Sequence, residues 1–142
     1  LLEDGWIDAP NRTRHRYADQ KDALKDGQIY RLRFRIVNRF DEKKKQYVEN
    51  FLPAWLMDQI DPEEIKTSWI QKVTASAANQ GFESMVRPWI CSYETGQLIG
   101  IPEGTPILRN VITHFVGDGR IVSIAECYLT ANALIRRFSP GN

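Results

Sequence analysis

The sequence predicts an α+β domain: an antiparallel sheet with helices packed on one of its faces. Three observations carry this. Residues Ile29–Asn38 alternate, with Tyr30, Leu32, Phe34 and Ile36 on one side and Arg31, Arg33 and Arg35 on the other. That period of two marks a strand with one buried face. Two β-rich runs, Ile107–Val116 and Arg120–Thr130, flank Gly117-Asp118-Gly119 and form a hairpin. Asp61-Pro62-Glu63-Glu64 opens a helix whose Ile65, Trp69 and Val73 make one apolar stripe at spacing four. Hairpins imply antiparallel pairing, which places helices and strands in separate layers.

The other elements follow in order. Residues 1–17 mix apolar and charged side chains around Pro10, which predicts an extended segment or linker. Ala18–Lys25 is predicted as a short helix closed by Asp26-Gly27. The charged stretch Phe40–Lys45 is expected to be a hairpin loop, followed by a strand over Gln46–Leu52 that Pro53 ends. Ala54–Ile60 is expected to be a short helix, and the long helix after Asp61 should stop near Gln80-Gly81. Phe82–Ser92 is a strand, Tyr93–Ile99 a helix capped by Ser92, and Pro102–Pro106 a turn. The tail Asn132–Asn142 is expected to be irregular or briefly helical. The chain opens at Leu1 rather than Met and is expected to be a fragment or a processed chain.

Composition excludes several classes. The 142 residues suffice for one domain, and 42% hydrophobic residues with four Trp supply a core that a disordered chain lacks. No apolar run is long enough to span a membrane, and no secretory signal opens the chain. Cys91 and Cys127 are too few for a disulfide framework and lack metal-ligand spacing, so a reduced, cytoplasmic protein is expected. The net charge of +1 provides no global field for nucleic acid. The basic excess sits in two short clusters, Arg12/Arg14/Arg16 and Lys43/Lys44/Lys45.

No nucleophile, metal or phosphate-loop motif occurs, so no catalytic residue, metal or cofactor is assigned. His114 and Cys127 lie within strands and are expected to be structural. The ladder Arg31/Arg33/Arg35 offers two outcomes. Guanidinium groups grip a carboxylate or phosphate with paired hydrogen bonds, or they form cross-strand ion pairs, for example to Glu49. Glu126, polar among apolar neighbours, pairs with an Arg across the sheet or faces solvent.

Four pieces together resemble the UTRA domain, the effector-sensing half of HutC-type GntR bacterial transcription regulators. They are Ala18…Leu24…Gly27 leading into Tyr30–Arg35; Glu49…Leu52-Pro53; Leu98…Ile101–Leu108 with its Gly104-Thr105-Pro106; and Asp118–Val122 followed by Tyr128-Leu129 and Phe138. The resemblance spans about residues 12–140. It implies a chorismate-lyase-like fold, with a curved antiparallel sheet flanked by helices. It also implies a small-molecule effector, often anionic, a homodimer, and operator DNA contacted through a domain absent from this chain. Residues 1–12 would then be a linker or the end of an N-terminal winged-helix domain, and 13–142 the ligand-binding domain.

The residues implied to bind ligand are Arg33, Arg35, Glu49, Ser123, Glu126 and Tyr128. Three departures from the family pattern matter. The first hairpin loop is lengthened by Asp41–Lys45. The acid before "LP" falls where this chain has Val48, and one step flips the strand face, so either Val48 or Glu49 faces the pocket. The acid of the last hairpin maps onto Ser123 and a later Asp onto Asn132, which makes the implied pocket less acidic. The expected function is therefore effector sensing and dimerisation, without enzymatic activity. The alternative is a chorismate-lyase-like enzyme with Arg33 and Arg35 on substrate carboxylates and Glu49 or Glu126 as the acid. A third candidate, a nucleic-acid module using the two basic clusters, is disfavoured by the net charge.

Overall fold

The computed structural model describes residues 2–38, 40–61, 63–64 and 79–130. Their elements run β1 (Glu3–Asp8), α1 (Asn11–Tyr17), β2 (Gln28–Asn38), β3 (Asp41–Leu52), α2 (Ala54–Met57), β4 (Asn79–Ile90), α3 (Tyr93–Ile99), β5 (Pro106–Val116) and β6 (Ile121–Leu129). The strands form one six-stranded sheet in the order β1-β2-β3-β6-β5-β4. Every neighbouring pair is antiparallel, as the hairpins predict. The α+β class is therefore observed.

Several local expectations change. Residues 3–8 are extended, but they are hydrogen-bonded to β2 as an outer strand, with Glu3 opposite Arg33. The first helix is Asn11–Tyr17, while 18–25 forms turns in which Asp22 takes φ +60°. Thr13 and Tyr17, one turn apart, are its two buried side chains. Tertiary burial of Thr13 and Tyr17 places the helix here, although Ala18–Lys25 is richer in strong helix formers. The charged stretch expected as a loop lies within β3: Asp41 is opposite Asn38 and Lys45 opposite Val37, with a shift of register that leaves Glu42–Lys44 outside the pairing. Main-chain pairing is indifferent to side-chain polarity. This end of the hairpin extends past β6, whose pairing with β3 begins at Gln46.

Other local signals hold. Ser92 Oγ accepts from the Thr95 N–H at 3.2 Å, capping α3. That helix ends at Gly100, which takes φ +75°. Gly96 is required by close approach, since a Cβ there would lie 2.4 Å from the Ile101 carbonyl oxygen. In the last turn, Asp118 Oδ1 accepts from the Arg120 N–H at 3.0 Å and Gly119 takes φ +86°. Asp61 Oδ1 accepts from the Glu63 N–H at 3.0 Å, as a helix cap should. The stripe Ile65/Trp69/Val73 and the tail Asn132–Asn142 lie outside the described residues. Gln80-Gly81, expected to end that helix, are within β4.

The described helices pack on both faces rather than one. Tyr17 of α1 joins Ile29, Phe51, Ile121 and Ile124. Ile99 of α3 joins Tyr47, Ile107 and Tyr128 on the same side. Leu56 and Met57 of α2 pack on Tyr30, Leu32 and Leu52, the opposite side. The cause is visible in β6, which is buried at nearly every position. A strand covered on both sides carries a near-continuous apolar run rather than an alternation. Among the described residues, no helix is long and apolar enough to cross a membrane.

Candidate ligand-binding site

The sheet register assembles the polar side chains on the α1/α3 face. One row of neighbours reads Glu3, Arg33, Glu49, Glu126, Val111, Met85 from β1 to β4. The next row reads Arg35, Tyr47, Tyr128, Arg109, Arg87. Residues 12 to 81 positions apart in the chain thus become immediate neighbours. Two cavities open along these rows, one beside α3 and one beneath α1.

The α3 cavity has a volume of about 160 Å³ and is lined by Arg33, Tyr47, Glu49, Ser92, Thr95 and Tyr128, among others. Arg33 Nε donates to the Tyr47 hydroxyl at 2.7 Å, and that hydroxyl donates to Glu49 Oε1 at 2.7 Å. Arg33 Nη1 also meets Glu3 Oε2 at 2.6 Å. The expected ion pair is therefore with Glu3, and Glu49 is reached through Tyr47. Burial, then the hydrogen bond to Glu49, pushes the Tyr47 hydroxyl up. Tyr47 stacks on Tyr128 at 5.8 Å between ring centres, which fixes both walls.

The α1 cavity is larger, about 300 Å³, and is lined by Arg12, Arg16, Arg87, Arg109 and Glu126 together with apolar and polar neighbours. Glu126 is only 2% exposed. Arg12 Nε and Nη2 contact its carboxylate at 2.6 and 2.9 Å, and Arg109 Nη2 contacts it at 2.8 Å. Burial alone would raise the Glu126 carboxyl, but the hydrogen bonds and charges of Arg12 and Arg109 together hold it below its usual value. Glu49 and Glu126 are direct cross-strand neighbours, an unfavourable pairing that these cations offset. Burial and the Glu126 charge push the Tyr128 hydroxyl up to about 12 and the Cys127 thiol up to about 11. Burial lowers His114. At neutral pH the carboxylate is thus ionised, and the hydroxyl and thiol keep their protons.

The residues singled out in the sequence are distributed as follows. Arg33, Glu49 and Tyr128 line the α3 cavity, and Glu126 lines the α1 cavity. Tyr128 OH, 3.3 Å from Glu126 Oε2, joins the two. Arg35 is exposed beside Tyr47 and lines neither cavity. Ser123 also lines neither: it is 1% exposed, and its Oγ has no hydrogen-bond partner. Glu49 rather than Val48 shares the face of Arg33; Val48 is buried.

Arg12, Arg16, Arg87 and Arg109 were not singled out as site residues. The first two carried a signal, because a spacing of four places them on one side of a helix once that helix is known. Arg87 and Arg109 are isolated in sequence and become partners only through the β4–β5 register. Among the described residues, no group of three His, Cys, Asp or Glu side chains is placed to hold a metal ion.

The UTRA domain family matches residues 24–134. No curated protein matches the chain by sequence. Solved structures share the fold at low identity. A GntR-family transcriptional regulator from Enterococcus faecalis V583 is 13% identical with a TM-score of 0.75, over 97% of this chain and 96% of that one. A ligand-binding domain ascribed to a GntR-family regulator of Bordetella bronchiseptica is 15% identical with a TM-score of 0.75, over 97% and 86%. A GntR-family regulator from Bacillus cereus is 11% identical with a TM-score of 0.71, over 97% and 94%. With the family matched over most of its length and the sheet in place, this chain belongs to the UTRA domain family, the regulatory ligand-binding domains with the α+β fold of GntR-type transcriptional regulators.

Proposed function

We propose that this domain is the effector-sensing and dimerisation part of a bacterial GntR/HutC-type regulator, acting in the cytoplasm on operator DNA through a separate N-terminal domain. The effector is a small metabolite with an acidic group and hydroxyls, held in the α3 cavity. One observation carries this: Arg33, Tyr47, Glu49, Ser92, Thr95 and Tyr128 face one cavity of about 160 Å³. The effector's acid would take the place of Glu3 at Arg33. Glu3 belongs to β1, the strand nearest the start of the chain, so replacing it alters the part of the domain closest to a preceding one. A ligand that binds one such arrangement better shifts the population toward it.

The test is titration calorimetry with a panel of sugar phosphates, amino acids, their catabolites and aromatic carboxylates including chorismate. An effector that binds and is recovered unchanged supports sensing, and Arg33→Ala should weaken it by about 1.5–3 kcal/mol, the range for a charge-assisted hydrogen bond. Undiminished affinity in that variant removes Arg33 from the site. A compound consumed on incubation would make the domain a lyase instead.

Dimerisation is assigned to β4, an outer strand of twelve residues. Phe82, Val86 and Ile90 are exposed along one side of it. A long apolar edge of this kind favours pairing, here with a second copy. Sedimentation should show a dimer, and Val86→Lys should convert it to monomer. A Val86→Lys variant that remains dimeric would place the interface elsewhere.

A further inference from the structure

We propose that the cavity beneath α1 is a second ligand site, separate from the Arg33 cavity, which takes a compact dianion such as a phosphate monoester or a dicarboxylate. The local sequence explains the geometry. On α1, Arg12 and Arg16 are one helical turn apart, while Thr13 and Tyr17 turn inward. Across the cavity, Arg87 of β4 and Arg109 of β5 are cross-strand partners. Four guanidinium groups therefore line a space of about 300 Å³ in which Glu126 is the one carboxylate among the lining residues.

That carboxylate is already engaged by Arg12 and Arg109. Arg16 donates to Thr113 Oγ1 at 2.8 Å and is 3.8 Å from Glu83, a long contact to an exposed side chain. Arg87 Nε meets Met85 Sδ at 3.1 Å, and a thioether is a weak acceptor. Among the described residues, then, Arg87 has no carboxylate partner and Arg16 has only the long contact to Glu83. Like charges held together beside a low-dielectric wall repel, and a bound dianion relieves that repulsion. The forked donors of arginine match the oxygens of phosphate and carboxylate groups.

A second observation points the same way. Arg109 Nε and Thr13 Oγ1 are buried at this cavity without a hydrogen-bond partner. Buried polar groups in native folds are seldom left so, and a ligand is one of the standard reasons when they are. Met85, Val111 and Ile124 supply apolar wall for a short carbon skeleton. The volume lies at the small end of metabolite pockets, which excludes a polymer. The Arg33 cavity differs in charge, since Glu49 and Glu94 line it beside a single arginine.

The test uses the 142-residue chain with inorganic phosphate and succinate as probes and glycerol as the neutral control. Trp89 provides the signal, because the Arg109 guanidinium lies 4.8 Å from its ring centre; it also lines the α3 cavity, so the Arg33→Ala variant decides which cavity the anion fills. Saturable fluorescence change is expected with at least one anion and none with glycerol. Arg87→Ala and Arg16→Ala should each raise the Kd about tenfold, equivalent to about 1.4 kcal/mol. The Arg87 side chain is exposed, so Arg87→Ala should melt like the parent without ligand; Arg16→Ala also gives up the bond to buried Thr113, so its Kd is read well below its own melting transition. Arg33→Ala should leave the Kd unchanged, which separates this site from the α3 cavity. Tighter phosphate indicates a monoester, and tighter succinate a dicarboxylate. The proposal falls if neither anion binds, if Arg87→Ala leaves the Kd unaltered, or if Arg33→Ala weakens binding as much as Arg87→Ala does.

Discussion

Glu126→Gln should destabilise the fold by about 3 kcal/mol, the lower end of what removing one partner from a buried ion pair costs. The carboxylate is 2% exposed and answers two guanidinium groups. A neutral amide fills the same space but leaves Arg109, whose side chain is 11% exposed, without its counter-charge. Arg12 is half exposed and recovers part of its hydration, which sets the lower end of the range. In a domain of this size the melting temperature should fall by about 10 °C. The pH dependence has a definite sign. Folding depresses this carboxyl, so the folded state binds fewer protons than the unfolded one. Its contribution is complete above the unfolded value of about 4.3 and is lost as pH falls through the folded value. The stability gap between parent and Glu126→Gln should therefore narrow in acid. A gap that stays constant down to pH about 3 would show that shape, not charge, causes it.

Phe51→Ala should cost about 3–5 kcal/mol, the usual penalty for emptying an aromatic site in a packed core. Phe51 has no exposed surface and packs with Tyr17, Ile29, Ile121 and Ile124. Its carbonyl also accepts the Tyr17 hydroxyl at 3.4 Å. Tyr17 is the last residue of α1, so Phe51 is the seat on which that helix rests. Because α1 carries Arg12 and Arg16, loss of the seat should weaken dianion binding as well as stability. Urea denaturation of the variant and phosphate titration in the same samples measure both. A loss below about 1 kcal/mol would mean that the cluster repacks freely around the missing ring.

The elements with strong local signals were legible from sequence. Alternation in β2, the Gly117-Asp118-Gly119 turn and the Ser92 cap are properties of a few neighbouring residues, and each is observed. The family resemblance was legible for the same reason, because it rests on short motifs in a fixed order, and the UTRA match over 24–134 covers all of them except Ala18 and Phe138. The helix at Asn11–Tyr17 was not legible. Its residues carry little intrinsic preference, and only the burial of Thr13 and Tyr17 against the sheet selects it. The lysine-rich arm of β3 was likewise hidden, since an extended backbone that is paired with β2 only at Asp41 and Lys45 left no mark in its side chains.

For the candidate site, sequence alone determined that arginines line one side of β2 and that Glu126 stands among apolar neighbours. Tertiary structure decided their partners. Arg33 faces Glu3 and Tyr47, and Glu126 is clamped by Arg12 and Arg109, residues 114 and 17 positions away. Charge along a chain is additive and can be counted from composition. Whether a given charge is neutralised depends on antiparallel register and helix seating, which bring together side chains that no local pattern connects.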